Sequence, residues 1–239
     1  MTFTYSLPRT ALNFRQVGVA LLAACFIGNA AAQAPRELAP IDPPQPVEND
    51  GKIEVLEFFA YGCIHCAQLE PPLAAWTARQ PDYVKVKRVP TPFLLRGIDS
   101  ASIYYSLEAM GLQEKMHQKV FDAVNIENVM LGNPATLNKW LEKQGVDVKK
   151  FEELQRSFSV QTKISRSKKL TTDYKIQSTP TMAVNGRYLL EGGGERLFPN
   201  LDRLIAEARG PAQTAATPAK PGVTLTPTPT PAAAPAKKK

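Results

Sequence analysis

An α/β domain carrying a helical insertion is the fold class that this 239-residue sequence predicts, and three observations predict it. First, a nearly continuous apolar run, Ile53 to Ala60, precedes a Tyr61-Gly62 turn, a helical stretch and the alternating run Tyr83 to Val89, which makes a βαβ unit. Second, the apolar spacing from Ile98 to Tyr174 is helical throughout. Third, Thr181 to Val184 and Arg187 to Leu190 flank Asn185-Gly186, the strongest short hairpin signal, and an amphipathic stretch from Leu197 to Ala208 follows.

Each element has its own justification. Gln33 to Asp50 holds five prolines and few apolar residues, so an extended leader is expected over 33–51. Ile53 to Ala60 is β-rich and apolar at its end, as a central strand buried on both faces should be. Cys63 to Gln80 spaces Leu69, Leu73 and Trp76 helically, and Pro71-Pro72 inside it predicts a kink or a break. In the insertion, Tyr104, Leu107 and Met110 form one stripe, and Met116, Val120, Phe121 and Val124 form another. Pro134 suits the first position of the helix that carries Leu137, Trp140 and Leu141. Phe151, Leu154 and Phe158 lead into a basic helix through Lys163, Arg166, Lys168 and Lys169. These stripes read as core. The predicted domains are therefore 52–97 with 175–209, and an inserted helical domain over 98–174.

Both ends of the chain read as separate from that body. Residues 1–32 carry Arg9, Arg15 and no acid, run apolar from Val17 to Gly28 and finish Ala30-Ala31-Ala32, the pattern of a signal peptide cleaved after Ala32. The run is shorter than the roughly 20 residues that span a bilayer. Leu22-Ala23-Ala24-Cys25 offers a rival reading as a lipobox with a lipid anchor at Cys25. Either way the protein is expected to be exported, to a bacterial periplasm. Gly210 to Lys239 is built from Pro, Ala, Thr and Lys, and such a composition predicts a disordered tail. Of the formal net charge of +7, residues 1–32 carry +2 and residues 210–239 carry +4, leaving +1 for the body. A basic nucleic-acid-binding face is not expected.

The chemistry is expected at Cys63-Ile64-His65-Cys66, where a strand hands over to a helix. Two thiols two residues apart can close and reopen a disulfide, carrying two electrons. The first faces the unpaired amides of a helix N-terminus, which favour a thiolate. A zinc site would need further ligands, and the other cysteine and histidine are Cys25 in the export segment and His117 alone, so no metal is expected. A bridge across two residues would restrain almost nothing, which argues against a purely structural disulfide. After cleavage at Ala32 only this pair of cysteines remains, as suits a catalyst acting on other proteins' thiols in an oxidising compartment. His117 lies in a charged stretch and is expected at the surface.

Glu57-Phe58-Phe59 ahead of Tyr61-Gly62-Cys63, His65 beside Cys66, Glu70 shortly after, and Thr179-Pro180 before the hairpin resemble the DsbA family of thiol:disulfide oxidoreductases. The resemblance covers roughly Lys52 to Arg209 and implies a thioredoxin fold with an inserted helical domain. It further implies that Cys63 is an exposed nucleophile and that Cys66 is shielded and resolves the mixed disulfide. His65 would favour the Cys63 thiolate, stabilising the reduced dithiol and making the disulfide more oxidising. The resemblance likewise implies a lowered pKa for the Cys63 thiol. Pro180 is implied to be cis, with Thr179 offering backbone hydrogen bonds to a bound peptide and a hydroxyl to a nearby sulfur. Glu57 and Glu70 resemble the family's proton-relaying acids. As residues alone they read equally as a half-buried strand Glu and a helix-surface Glu. Phe58, Phe59 and Tyr61 read as core and groove wall.

Two departures bear on potential and substrate range: Ile64 stands where Pro is usual, and Thr179 where Val is usual in the oxidases. The family implies a monomeric oxidase of unfolded exported proteins, reoxidised by a DsbB-like quinone-linked membrane partner, with no bound cofactor. A disulfide isomerase or reductase of the same fold is the first alternative. The 20-odd residues between signal and first strand are too few for the dimerisation domain such isomerases usually carry. A peptide-binding chaperone module, in which the cysteines only support the fold, is an alternative of a different class.

Overall fold

The computed structural model describes residues 38–48 and 50–210. The signal-peptide and lipobox readings, and the tail beyond Gly210, lie outside the described residues. Among the described residues no helix is long and apolar enough to cross a membrane.

The centre of the molecule is a mixed five-stranded sheet. Its strands are β1 (Ala39–Pro40), β2 (Ile53–Phe59), β3 (Val84–Pro90), β4 (Thr181–Val184) and β5 (Tyr188–Glu191), in the order β1-β5-β4-β2-β3. β2 pairs parallel with β3 in the register Val55↔Val86 and antiparallel with β4 in the register Leu56↔Ala183. All seven residues of β2 are buried, which accounts for its nearly unbroken apolar run. Alternation splits its side chains between two cores: Ile53 and Val55 pack on one face with Leu69, Leu73 and Trp76, while Leu56 and Phe58 pack on the other with Tyr174 and Ile176. Glu57 shares the face of Val55 and Phe59.

The leader holds more structure than expected. Ala39 and Pro40 pair with Leu189 and Tyr188, and Gln45 N–H donates to the Gly186 carbonyl at 2.8 Å. A two-residue edge strand has no periodicity to read, and its pairing partner lies far along the chain. The hairpin turn is the Asn185-Gly186 pair, both at positive φ (48° and 67°). A Cβ at Gly186 would come within 2.1 Å of the Gln45 carbonyl oxygen, so glycine serves both the turn and the close approach of the leader.

Helix α1 (Ile64–Thr77) and the closing helix α7 (Leu197–Arg209) supply side chains to the first of those cores. α1 runs unbroken through Pro71 and Pro72, so the expected break does not occur. The carbonyls that lose their i+4 donors there belong to Ala67 and Gln68, which are not fully buried, so water can take the place of the missing amides. Between β3 and β4 lie α2 (Ser100–Ala109), α3 (Gln113–Asn125), α4 (Pro134–Lys143), α5 (Val148–Gln155) and α6 (Phe158–Asp173). Asp99, Asn133, Asp147 and Ser157 each cap a helix by accepting from a backbone N–H at its start.

The largest buried cluster gathers Leu107, Met116, Val120, Phe121, Leu137, Trp140 and Phe151 from the inserted helices around Phe59, Tyr61, Cys63 and Cys66. The C-terminal end of β2 and the start of α1 are thus set into the helical core. Leu201 of α7 is fully buried against the sheet. Leu201→Ala is expected to lower the stability of the oxidised protein by about 2–5 kcal/mol. Urea unfolding would register this as a lower midpoint at unchanged slope.

Candidate active site

β2 ends at Phe59, and the chain then turns so that Cys63, in an extended conformation (φ −93°, ψ 112°), becomes the N-cap of α1. Its Sγ accepts a hydrogen bond from Cys66 N–H at 3.3 Å, where Ser or Asp would ordinarily present an oxygen. No acidic residue occupies the first turn of α1, so no carboxylate competes with a thiolate for the amides and the helix dipole. Both cysteines are free thiols in this structure.

The turn that carries Cys63 is held from several sides. Tyr61 N–H donates to Ser100 Oγ at 2.8 Å, and Asn125 Nδ2 donates to the Tyr61 carbonyl at 2.8 Å. Cys63 N–H donates to the Ala60 carbonyl at 3.0 Å. A Cβ at Gly62 would sit 2.3 Å from the Leu95 carbonyl oxygen, so only glycine admits the 95–97 segment against the cysteine turn.

The peptide bond Thr179-Pro180 is cis and lies beside the cysteines. The Cys63 thiol donates to the Thr179 carbonyl at 3.3 Å. Four hydrogen-bond donors favour the Cys63 thiolate. The Cys66 thiol has the largest effect, the Thr179 side chain comes next, and the backbone amides of Cys66 and His65 follow. Against partial burial they bring the Cys63 pKa down from 9.0 to about 6. Cys66 moves the other way: burial pushes its thiol far above the usual range, and a thiolate on Cys63 pushes further. One thiol of the pair is poised to ionise and the other to keep its proton.

Two expectations need correction here. Cys63 is not broadly exposed; it retains 7% of its surface against 0% for Cys66, which leaves it the more accessible of the two. The imidazole of His65 is exposed and its Nδ1 meets Gln68 Oε1 at 3.3 Å, so His65 acts on Cys63 through its backbone N–H.

Behind the cysteines lies a buried charged cluster. Glu57 is completely buried, and neither carboxyl oxygen has a hydrogen-bond partner; Arg88 Nε stands 3.5 Å from Oε2. Burial, helped by the Glu70 charge, raises the Glu57 pKa to about 8 despite Arg88. Burial therefore favours the protonated form of Glu57. Glu70, on α1, receives Arg88 Nη2 at 2.5 Å and Nε at 3.3 Å. Burial alone would raise the Glu70 carboxyl, but His117 and Arg88 together hold it below the usual carboxylate range. Glu57 is fully rather than half buried, and Glu70 is not the helix-surface residue that its local sequence allows.

His117 is a further correction: it is buried, retaining 3% of its surface. Its position on the stripe of Gln113, Met116, Val120, Phe121 and Val124 carried that information, but the neighbouring charges masked it. Arg88 was not singled out from sequence either, although an arginine whose side chain keeps only 15% of its surface demands a partner. Among the described residues no group of three or more His, Cys, Asp or Glu is arranged to hold a metal ion.

Comparison with known proteins places this site in context. A family model described as a DSBA-like thioredoxin domain matches residues 96–205. The thiol:disulfide interchange protein DsbA of Bordetella parapertussis is 40% identical over 177 residues, covering 73% of this chain and 84% of the relative. Its namesake in Pseudomonas aeruginosa is 35% identical over 205 residues, covering 81% of this chain and 96% of the relative. The crystal structure of Pseudomonas aeruginosa DsbA superposes with a TM-score of 0.68 at 33% identity, over 76% of this chain and 97% of that one.

The Thr179 side chain lowers the pKa of both cysteines, and valine has no donor to replace it. Thr179→Val is expected to raise the Cys63 pKa and make the disulfide less oxidising by roughly three- to tenfold in the equilibrium with glutathione. Thiolate absorbance and glutathione titration measure the two effects, and an unchanged fold in circular dichroism assigns them to the lost hydroxyl.

Proposed function

The chain belongs to the DsbA family and is a thiol:disulfide oxidoreductase, and from that premise we propose that Cys63 and Cys66 carry the exchange. Cys63 is the sulfur that partners reach and Cys66 the one that resolves. The observation that carries this reading is the asymmetry of the pair: Cys63 Sγ caps α1 and has a lowered pKa, while Cys66 is sealed and holds its proton.

In the oxidising direction a substrate thiolate attacks Cys63 of the Cys63–Cys66 disulfide. The S–S bond breaks, Cys66 leaves and takes up a proton, and a mixed disulfide forms on Cys63. A second substrate thiolate then attacks the substrate sulfur of that mixed disulfide and Cys63 departs as a thiolate. The substrate loses two electrons and the cysteine pair gains them. A low pKa makes Cys63 the better leaving group, so release of an oxidised substrate is favoured over the reverse. This favours the oxidase over the isomerase or reductase.

Unfolded polypeptide as the substrate is supported by the surface next to Cys63. Ile64, Leu94 and Leu95 are exposed. Leu95 adjoins Gly62, and Arg96 Nη2 donates to Asn128 Oδ1 at 3.0 Å, tying this segment to the loop that bears exposed Ile126 and Met130. An apolar border of this kind favours chains whose own apolar residues are not yet buried. The backbone of Thr179 is the candidate peptide contact, with Pro180 fixing its turn, and Glu57 with Glu70 is the candidate proton route for Cys66. We place the reaction in the periplasm of the source bacterium, with the cysteine pair as its own redox group and a DsbB-like membrane partner restoring the disulfide.

Cys66→Ala is expected to accumulate mixed disulfides with exported proteins, whereas Cys63→Ala should form none. Non-reducing gels of cells expressing each variant make the comparison. Equal adducts from both would reverse the assignment of the two thiols, and adducts from neither would count against exchange through this pair.

A further inference from the structure

His117 has no place in the exchange chemistry described above, yet it is a buried polar side chain set among the aromatic rings beside the cysteines. It is carried by α3 of the insertion and surrounded edge-on by Phe59, Tyr61, Tyr104 and Phe121, with ring centroids 5.0–5.7 Å away. An aliphatic or aromatic residue would fill that cage without any desolvation cost, so a histidine there needs a polar reason. Its two nitrogens point to one. Nδ1 lies 2.9 Å from the Tyr61 hydroxyl, and Nε2 lies 3.3 Å from Glu70 Oε2, a close polar contact without the alignment of a hydrogen bond. Tyr61 stands two residues before Cys63, and Glu70 one helical turn beyond Cys66. A single side chain from the insertion therefore grips both flanks of the redox pair.

We propose that His117 is a positioning residue of the redox reaction: by joining Tyr61 to Glu70 it holds the Glu70 carboxylate charged against Arg88 and so sets the charge behind the cysteines. The tautomer follows from the partners. Tyr61 O–H donates to Nδ1, which leaves Nε2–H facing the carboxylate. Burial keeps the ring uncharged, with Glu70 opposing that shift only in part. The groups facing this centre are Glu57 from β2, Tyr61 from the turn, Glu70 from α1, Arg88 from β3, Tyr104 from α2 and Glu114 from the first turn of α3. Glu114 is 89% exposed and 3.9 Å from Arg88, so its charge is largely screened. With Glu57 neutral, the Glu70 carboxylate and the Arg88 guanidinium balance. The Glu57 carboxyl feels the Cys63 sulfur, so the cluster and the thiolate are electrostatically linked.

Removal of the Nε2 contact leaves Arg88 as the partner of a buried carboxylate. Glu70 then takes up a proton more readily, Arg88 is left in excess, and positive charge behind the cysteines favours the thiolate.

The test uses the full-length protein and three variants. His117→Phe keeps the packing of the cage and deletes both polar contacts; His117→Gln keeps an amide that can donate to Glu70; Tyr61→Phe deletes the phenol alone. Cys63 is titrated by thiolate absorbance, and the equilibrium with glutathione is measured for each. His117→Phe is expected to lower the Cys63 pKa and shift the equilibrium toward the reduced protein by roughly three- to tenfold, the scale of a lost polar contact with a buried charged group. His117→Gln is expected to stay within about twofold of wild type, the residue of an imperfect mimic. The shift in His117→Phe should vanish when Glu70→Gln is added, because the charge that His117 governs is then absent. A His117→Phe protein with lowered thermal stability but unchanged pKa and equilibrium would overturn the proposal in favour of packing alone. So would a shift in the opposite direction, or an equal shift in His117→Gln. A variant that failed to fold would be judged through His117→Gln and Tyr61→Phe, of which the second should move the pKa in the direction expected for His117→Phe. This inference rests on exchange at Cys63, which the wild-type glutathione equilibrium reports independently of any His117 variant.

Discussion

The start of helix α1 leaves backbone amides without intrahelical partners, and the structure presents the Cys63 sulfur to them. A neutral thiol is a poor acceptor, whereas a thiolate is a good one, so the cap is satisfied best when Cys63 is ionised. The same cap disappears as an anion site once Cys63 enters a disulfide. The helix thus stabilises the reduced protein more than the oxidised one, and that difference is the driving force for giving the disulfide away. The surrounding features maintain this arrangement: Ser100 and Asn125 fix the Tyr61 backbone, Gly62 admits the 95–97 segment, and the Thr179 turn closes the other side.

Burial opposes that preference. Both sulfurs lie within the largest core cluster, where desolvation disfavours any charge, and on Cys66 it prevails. On Cys63 the hydrogen bonds prevail because several donors converge on one atom. The Glu57, Glu70, Arg88 and His117 cluster repeats the contest at a second level. Burial favours the neutral form of one carboxyl, a second one is kept charged by a histidine and an arginine, and that histidine is kept neutral by its aromatic cage. A buried pair of this sort is weak evidence for stability. Its position behind a titrating sulfur fits a role in adjusting charge better than a role in holding the fold.

The parts legible in the sequence were those encoded locally. The Cys63 to Cys66 spacing at a strand–helix boundary, the Asn185-Gly186 hairpin and the apolar stripes of the inserted helices each depend on neighbours a few residues away. The resemblance added the position of Thr179-Pro180 beside the cysteines. What could not be read was set by pairing across the chain. The edge strand Ala39–Pro40 exists through β5, and Glu57 and Glu70 find their partners 18 to 47 residues away, in Arg88 and His117. The His65 imidazole points toward Gln68 because a side chain at the second helical position projects outward from the helix start, which spacing alone does not reveal.

The central claim is that the folded protein favours a Cys63 thiolate. Its most direct test is the pH dependence of stability, compared between the two redox forms. Because the Cys63 pKa falls from 9.0 to about 6 on folding, its contribution is absent below about pH 6, grows as pH rises and is complete above the unfolded pKa. Glu57, with a pKa raised to about 8, works in the opposite sense, losing stability as pH rises; burial drives most of this in both redox forms, and only the smaller part that comes from the Cys63 sulfur remains in the difference. Urea unfolding of reduced and oxidised protein between pH 5.5 and 8.5 should therefore show the reduced form gaining stability relative to the oxidised form across that range. A difference that stays constant with pH would contradict the account.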